Sequence, residues 1–297
     1  MIHNSFQKTA SLTILALVAF AANSVLCRLA LDNEAIDAAS FTAIRLLSGI
    51  IVLFIIIGGA QRIKQPETLN KKESSAKGSW FGSVLLFVYA VTFSYAYISL
   101  DTGTGALILF GAVQITMIML SLISGTRLHS SEWVGVIIAF IGFVYLILPK
   151  ITTPSVTGFV LMTISGVAWG IYTLQGRNSK SPLTDTAYNF LRTTPLIALL
   201  TIASLNTMSY TTEGIVLAIL SGGIASGIGY TIWYLALEGL SSSQAAVIQL
   251  SVPAIAALGG VIFVSEAITL RFAISSTMIL GGILLVVLGK YHFAKKN

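Results

Sequence analysis

The sequence predicts an all-α integral membrane protein of ten transmembrane helices, arranged as two inverted five-helix repeats. Three observations carry this prediction. First, 55% of the 297 residues are hydrophobic and only 9% are charged, against about 25% charge in an average soluble domain. Second, the apolar residues gather into ten runs close to the ~20 residues needed to cross a bilayer. Third, Lys and Arg fall almost entirely on alternate joints between those runs.

The runs follow in order. The first, 10–31, is preceded by only His3 and Lys8 and has no small-residue cleavage site, so a retained first helix is expected rather than a cleaved signal peptide. It ends at Asp32, Asn33 and Glu34. The second, 36–60, is followed by the polar stretch Gln61–Lys77. The third and fourth, 79–99 and 103–124, are parted only by a short joint around Asp101. The fifth, 131–149, closes the first half at Lys150 and Pro154. In the second half, 156–177 leads through Asn178–Pro182 to 184–205 and then 213–236. A short joint around Ser241 precedes 241–265, and 270–290 is the last run.

Orientation follows from the basic residues, which favour cytoplasmic loops. With the N-terminus inside, twelve fall on the cytoplasmic side: Lys8, Arg62, Lys64, Lys71, Lys72, Lys77, Arg127, Arg177, Lys180, Lys290, Lys295 and Lys296. Three fall outside (Arg28, Lys150, Arg271), and two, Arg45 and Arg192, lie within spans. Both termini are therefore expected in the cytoplasm, with the chain in a plasma (bacterial inner) membrane. The net charge of +6 is explained by this topology. Scattered between apolar runs, the basic residues form no solvated face for nucleic acid.

An internal repeat divides the chain at 1–150 and 151–297. A shift of 147 positions lays the first two spans on the sixth and seventh, matching Ala21 with Ala168, Phe41 with Tyr188 and Arg45 with Arg192. A shift of 137–139 matches Tyr97 with Tyr234, Asp101 with Glu238 and Gly142 with Gly281. Five spans per half is an odd number, so the second half must run upside down relative to the first. Repeats so related open toward either side of a membrane by near-equivalent movements.

The candidate site residues are polar or aromatic groups inside apolar spans. Arg45 and Arg192 lie about 12–14 Å along their helices, a depth at which a cation faces a cavity, carbonyls or an acidic partner. One reading is a site for an anionic substrate group such as a carboxylate; the other is a structural tie between helix ends. Asn23, Gln114, Trp169, Tyr172, Gln175, Tyr230 and Trp233 form a second set that suits an amphipathic midplane pocket. Gln114, mid-span, must face the protein interior. Trp80, Trp133 and Tyr291 sit at span ends, as interfacial aromatics do. A glycine-rich run, Ser221–Gly229, allows close backbone packing.

Absences narrow the chemistry. Cys27 is the sole cysteine, and the histidines are His3, His129 and His292, all outside the spans. No metal or cofactor motif, phosphate loop or nucleophile elbow occurs, so neither a metal nor a cofactor is expected. Carboxylates lie near span ends, which leaves Glu266 as the candidate for ion coupling. The small-molecule substrate and the lipid bilayer are the expected partners. A membrane enzyme acting on a lipid-linked substrate and a channel are the alternatives to a carrier.

The stretches Phe20–Ala30 and Ile36–Arg45 resemble the opening of the first repeat of the EamA-type carriers in the drug/metabolite transporter superfamily. Val264–Glu266, followed by the span containing Gly281 and Gly282, resembles the close of their second repeat. In the first half, Thr126 stands where such repeats often carry Glu. The resemblance implies a secondary transporter that exports or exchanges small metabolites, amino acids among them, through a central cavity shared by both halves.

Overall fold

The computed structural model describes residues 2–63, 78–125, 130–147, 155–176, 179–240, 245 and 248–294. The joint at Ser241, together with Thr126, His129 and Lys150, lies outside the described residues, as does the Tyr291 side chain. Among the described residues the helices form ten rods: α1 (Ile2–Asp32), α2 (Ala38–Ile63), α3 (Trp80–Ala96), α4 (Thr102–Ile123), α5 (Ser130–Ile147), α6 (Val156–Gly176), α7 in two segments (Pro182–Arg192 and Thr194–Ser204), α8 (Thr212–Leu237), α9 (Val252–Val264) and α10 (Leu270–Ala294). Their bounds follow the apolar runs to within a few residues, except that polar residues extend α1 and α10 and that α9 begins at Val252, eleven residues after the start of its predicted run 241–265.

Local chemistry fixes the ends. Ser79 caps α3 by accepting from the Gly82 amide, and Thr211 caps α8 in the same way at Gly214. Asp37 caps α2, its Oδ1 accepting from the amides of Ala39 and Ser40 at 3.0 and 2.9 Å. These side chains satisfy amides that a helix N-terminus leaves without partners. The rod α7 breaks at Thr193 because Pro195 has no amide hydrogen to donate back into the first segment.

The rods pack with a two-fold pattern. α1 lies against α8 and α9, while α6 lies against α3 and α4. α5 packs on α10, and α2 packs on α7. Adding five to each helix number exchanges the members of these sets. α1 ends beside the loops 33–37 and 205–211, whereas Gln175, at the end of α6, donates to Ser79 at the start of α3. The first rods of the two halves therefore run in opposite directions, as parity predicts.

Where α5 crosses α10, Gly135 and Gly282 face each other. A Cβ on either would stand 2.5 Å from the other's carbonyl oxygen, so only glycine permits this approach. Outward faces carry Ile14, Ile55, Ile123, Phe140 and Leu199, apolar side chains suited to lipid. Trp80 and Trp133 are exposed at rod ends, consistent with an interfacial belt.

Candidate functional site

The centre of the bundle is built around Arg45. Eight residues into α2, this residue is 2% exposed. Nη2 donates to the Tyr89 hydroxyl of α3 at 2.9 Å. The guanidinium carbon lies 4.6 Å from the Phe93 ring centroid and 5.3 Å from that of Tyr89, within cation–π range. Of the other two guanidinium nitrogens, Nη1 is buried with no hydrogen-bond partner. No ion pair to Arg45 occurs among the described residues. Leaving a donor of a buried charge unsatisfied is costly.

An aromatic wall continues from Tyr89. Trp169 of α6 lies 4.8 Å from the Tyr89 ring and stacks at 5.3 Å against both Tyr172 and Tyr230. Phe20 of α1 meets Tyr230 and, edge-on at 5.6 Å, Trp233. Phe190 of α7 abuts Tyr230. Helices from both halves therefore furnish one continuous cluster with a cation at one end and aromatic rings beyond it.

The sequence candidates divide between this centre and its margins. Arg45, Trp169, Tyr172, Tyr230 and Trp233 come together. Asn23 lies on the same face of α1 as Phe20, and its Oδ1 accepts from Ser221 and Ser226 of α8 at 2.8 and 3.3 Å. Gln114 is buried midway along α4. Gln175 lies at the rim, bonded to Ser79 at 2.6 Å. Arg192 ends the first segment of α7 and is half-buried, so the two arginines matched by the repeat occupy unlike environments. Glycine at 222 is what brings α8 onto the turn carrying Arg45, because a Cβ there would overlap the Arg45 carbonyl and the Ser48 hydroxyl.

Both ends of this centre are closed by contacts between the halves. At the α1–α2 end, Asp37 exchanges hydrogen bonds with Ser209: its amide donates to the Ser209 carbonyl at 2.8 Å and its Oδ2 accepts from the Ser209 amide at 3.0 Å. Ile36 and Tyr210 form an antiparallel bridge. Burial opposes ionisation of Asp37, but the bonds from Ser40, Ser209 and Ala39 outweigh it and hold the carboxyl below its ordinary range.

At the same end Glu266 accepts from the Thr102 amide and hydroxyl and from Arg28 Nε at 3.3 Å. Arg28 also pairs with Asp32 at 2.7 Å and donates to the Tyr97 carbonyl. At the opposite end, Asp185 and Asn189 of α7 accept from the amides of Gly78 and Ser79. Asn189 also donates to the Tyr172 hydroxyl at 3.3 Å.

Sequence reasoning left out Phe20, Phe93, Phe190, Ser221, Ser226 and Thr102 from its site residues. The phenylalanines carry no polar signal within apolar spans. The two serines stand out only as part of the glycine-rich run.

The sequence profile of the EamA-like transporter family matches residues 7–148 and again 156–288. The chain belongs to the EamA-like transporter family. It is similar to an uncharacterized protein of Pseudomonas aeruginosa, 45% identical over 281 residues and covering 95% of each chain. It is also similar to an uncharacterized transporter of Archaeoglobus fulgidus, 30% identical over 204 residues, covering 67% of this chain and 73% of the other. A solved crystal structure of a protein shares the fold, with a TM-score of 0.59 at 19% identity over 94% of this chain and 98% of its own. This EamA-family chain is thus an integral membrane transporter, and its two profile matches coincide with the two five-helix halves.

Proposed function

We propose that the protein is a secondary carrier that exports small polar or amphipathic metabolites by alternating access, with Arg45 receiving an anionic group of the substrate. The observation that carries this reading is the buried Nη1 of Arg45, a charged donor without an acceptor, on a wall to which both inverted halves contribute. A purely structural arginine would spend its donors on carbonyls. Here Nη2 is engaged by the Tyr89 hydroxyl and the buried Nη1 has no acceptor. The aromatic lining beyond the guanidinium suits an apolar or planar body. The contacts closing each end are the two gates of the cycle, and the distribution of basic residues supports an orientation with the α1–α2 end outside and both termini in the cytoplasm. No motif in the sequence supports catalysis, and the two-fold construction supplies two alternating openings in place of a continuous pore.

The test uses purified protein in detergent and in liposomes. Small carboxylates, amines and neutral solutes are screened for ligand-induced thermal stabilisation, since a binder raises apparent stability by mass action. Any hit is then followed as flux. Carboxylate-bearing hits whose stabilisation and flux are lost in Arg45→Ala are expected. Hits that are exclusively cationic, or unchanged flux in a folded Arg45→Ala, would overturn the reading.

A further inference from the structure

One side chain at the α3–α7 end bonds in two directions. Asn189 of α7 is 8% exposed, and its Oδ1 accepts from the Ser79 amide, at the start of α3, at 2.7 Å. That amide can only donate, so the carboxamide is oriented with Nδ2 turned inward, where it donates to the Tyr172 hydroxyl at 3.3 Å. Gly82 leaves the room for this: a Cβ there would stand 3.0 Å from Nδ2. Closing this end does not require the second bond. Asp185, one turn earlier, already accepts from the Gly78 amide at 3.0 Å, and Gln175 donates to the Ser79 hydroxyl. A side chain that served closure alone would leave Nδ2 turned to the rim. Instead it is committed to a ring of the aromatic wall: Tyr172 stacks on Trp169, Trp169 lies against Tyr89, and Tyr89 accepts from Arg45.

We infer that Asn189 is a positioning residue that couples the place of Tyr172 in the aromatic wall to closure of the α3–α7 end. The inference deepens the carrier reading and rests on it for the ligand's place beside that wall. The rings are in contact from Tyr89 through Trp169 to Tyr230, so a body lodging among them must shift them, because a close-packed interior has little spare volume. A bond of 3.3 Å is already near the longest that still counts as a hydrogen bond, and a shift of Tyr172 by a few tenths of an ångström breaks it. Nδ2 is then a buried donor without a partner, which is costly, and it recovers one by rotating toward water at the rim. That rotation withdraws Oδ1 from Ser79. Ser79 belongs to the first half and Asn189 to the second, so the bond lost is one that holds the halves together at this end.

The experiment measures maleimide labelling of the purified full-length protein carrying Ser83→Cys in a Cys27→Ala background, without ligand. Ser83 is fully buried one turn into α3 from Ser79, so a thiol there is reached only when this end opens. The rate is taken where it is proportional to reagent and therefore follows the open fraction. Tyr172→Phe keeps the ring and deletes only the hydroxyl; it is expected to raise the rate about two- to tenfold, the weight of one hydrogen bond. Asn189→Ala is expected to raise it at least as much, and the double variant no further than Asn189→Ala alone, because both changes cut one path. An unchanged rate in Tyr172→Phe, with an intact melting transition, would overturn the inference even if Asn189→Ala fails to fold. So would single effects that multiply in the double variant. Thr186→Val removes the other hydroxyl near that of Tyr172, at 3.4 Å, and should have the smaller effect; an effect equal to that of Tyr172→Phe would assign the link to Thr186 and overturn the inference. These rates are read without ligand, so they can fail while the carboxylate screen upholds Arg45, and the reverse.

Discussion

Both carboxylate oxygens of Glu266, in the second repeat, lie 2.9 Å from the amide nitrogen of Thr102, the first residue of α4 in the first repeat. Asp101, at the N-cap position, makes no side-chain cap, so this helix is capped by the other half of the molecule. Ser265, held in the left-handed region at φ 59°, turns Glu266 toward that amide. In the proposed cycle this contact exists only while the halves are closed at this end.

Acid should therefore strengthen this closure. Burial keeps the Glu266 carboxyl above the ordinary carboxylate range against the opposing bonds from Thr102, with Asp101 raising it further and Arg28 lowering it. A group that binds protons more tightly when closed than when solvated favours closure below its ordinary titration range. That contribution is lost as pH rises through the raised value. Accessibility of Cys27 to a membrane-impermeant thiol reagent, taken as a ratio to Glu266→Gln to cancel the thiol's own pH dependence, should rise from acid toward neutral pH. A flat ratio contradicts the assignment.

The Asp37 contact responds in the opposite sense. Its depressed carboxyl stabilises the closed end above the ordinary range, and that contribution disappears as pH falls through the lowered value. Asp37→Ala removes the α2 cap together with the tie to Ser209. It should cost about 0.5–2 kcal/mol, read as a lowered unfolding midpoint, whereas Asp37→Asn should retain much of that stability because it keeps an acceptor.

At Gly222, even the smallest side chain meets the Arg45 carbonyl. Gly222→Ala should force α8 away from α2, at an overpacking cost of about 1–3 kcal/mol, and should also reduce ligand binding because the arginine's turn is displaced. Gly281→Ala, where a Cβ meets nothing within 4 Å, serves as the control and should leave the melting midpoint nearly unchanged. Equal melting midpoints for the two variants would contradict the packing argument.

Tyr89→Phe deletes the hydroxyl that accepts from Arg45 but keeps the ring that faces Trp169. The expected result is a ligand-free protein destabilised by about 1.5–3 kcal/mol, the range for a hydrogen bond to a charged group. Saturating carboxylate should recover part of the loss by supplying acceptors. A loss that ligand does not reduce would show that the tyrosine acts on packing alone.

Much of the fold was legible because the period and length of apolar runs register burial in lipid directly, and parity then dictates inversion. The depth of Arg45 also pointed to the centre. The unlike settings of Arg45 and Arg192 were not legible, because a repeat aligns positions and says nothing of the side chains that surround each one. The Glu266–Thr102 cap joins residues 164 positions apart and leaves no local pattern. The π-helical segment Leu220–Ile228 of α8 was hidden for a different reason: glycines and serines are compatible with several helical windings, and packing against α1 and α2 selects one.

Cys27 provides the most direct test of a carrier that opens to one side at a time. The chain's sole cysteine is fully buried on α1, next to Arg28 of the Glu266 contact and one turn from Asn23. In oriented liposomes, an impermeant maleimide should label Cys27 from one side at a time, and a bound ligand that favours one arrangement should change the labelling rates from the two sides in opposite directions. Simultaneous fast labelling from both sides, or ligand effects of the same sign on both, would contradict alternating access between the two repeats.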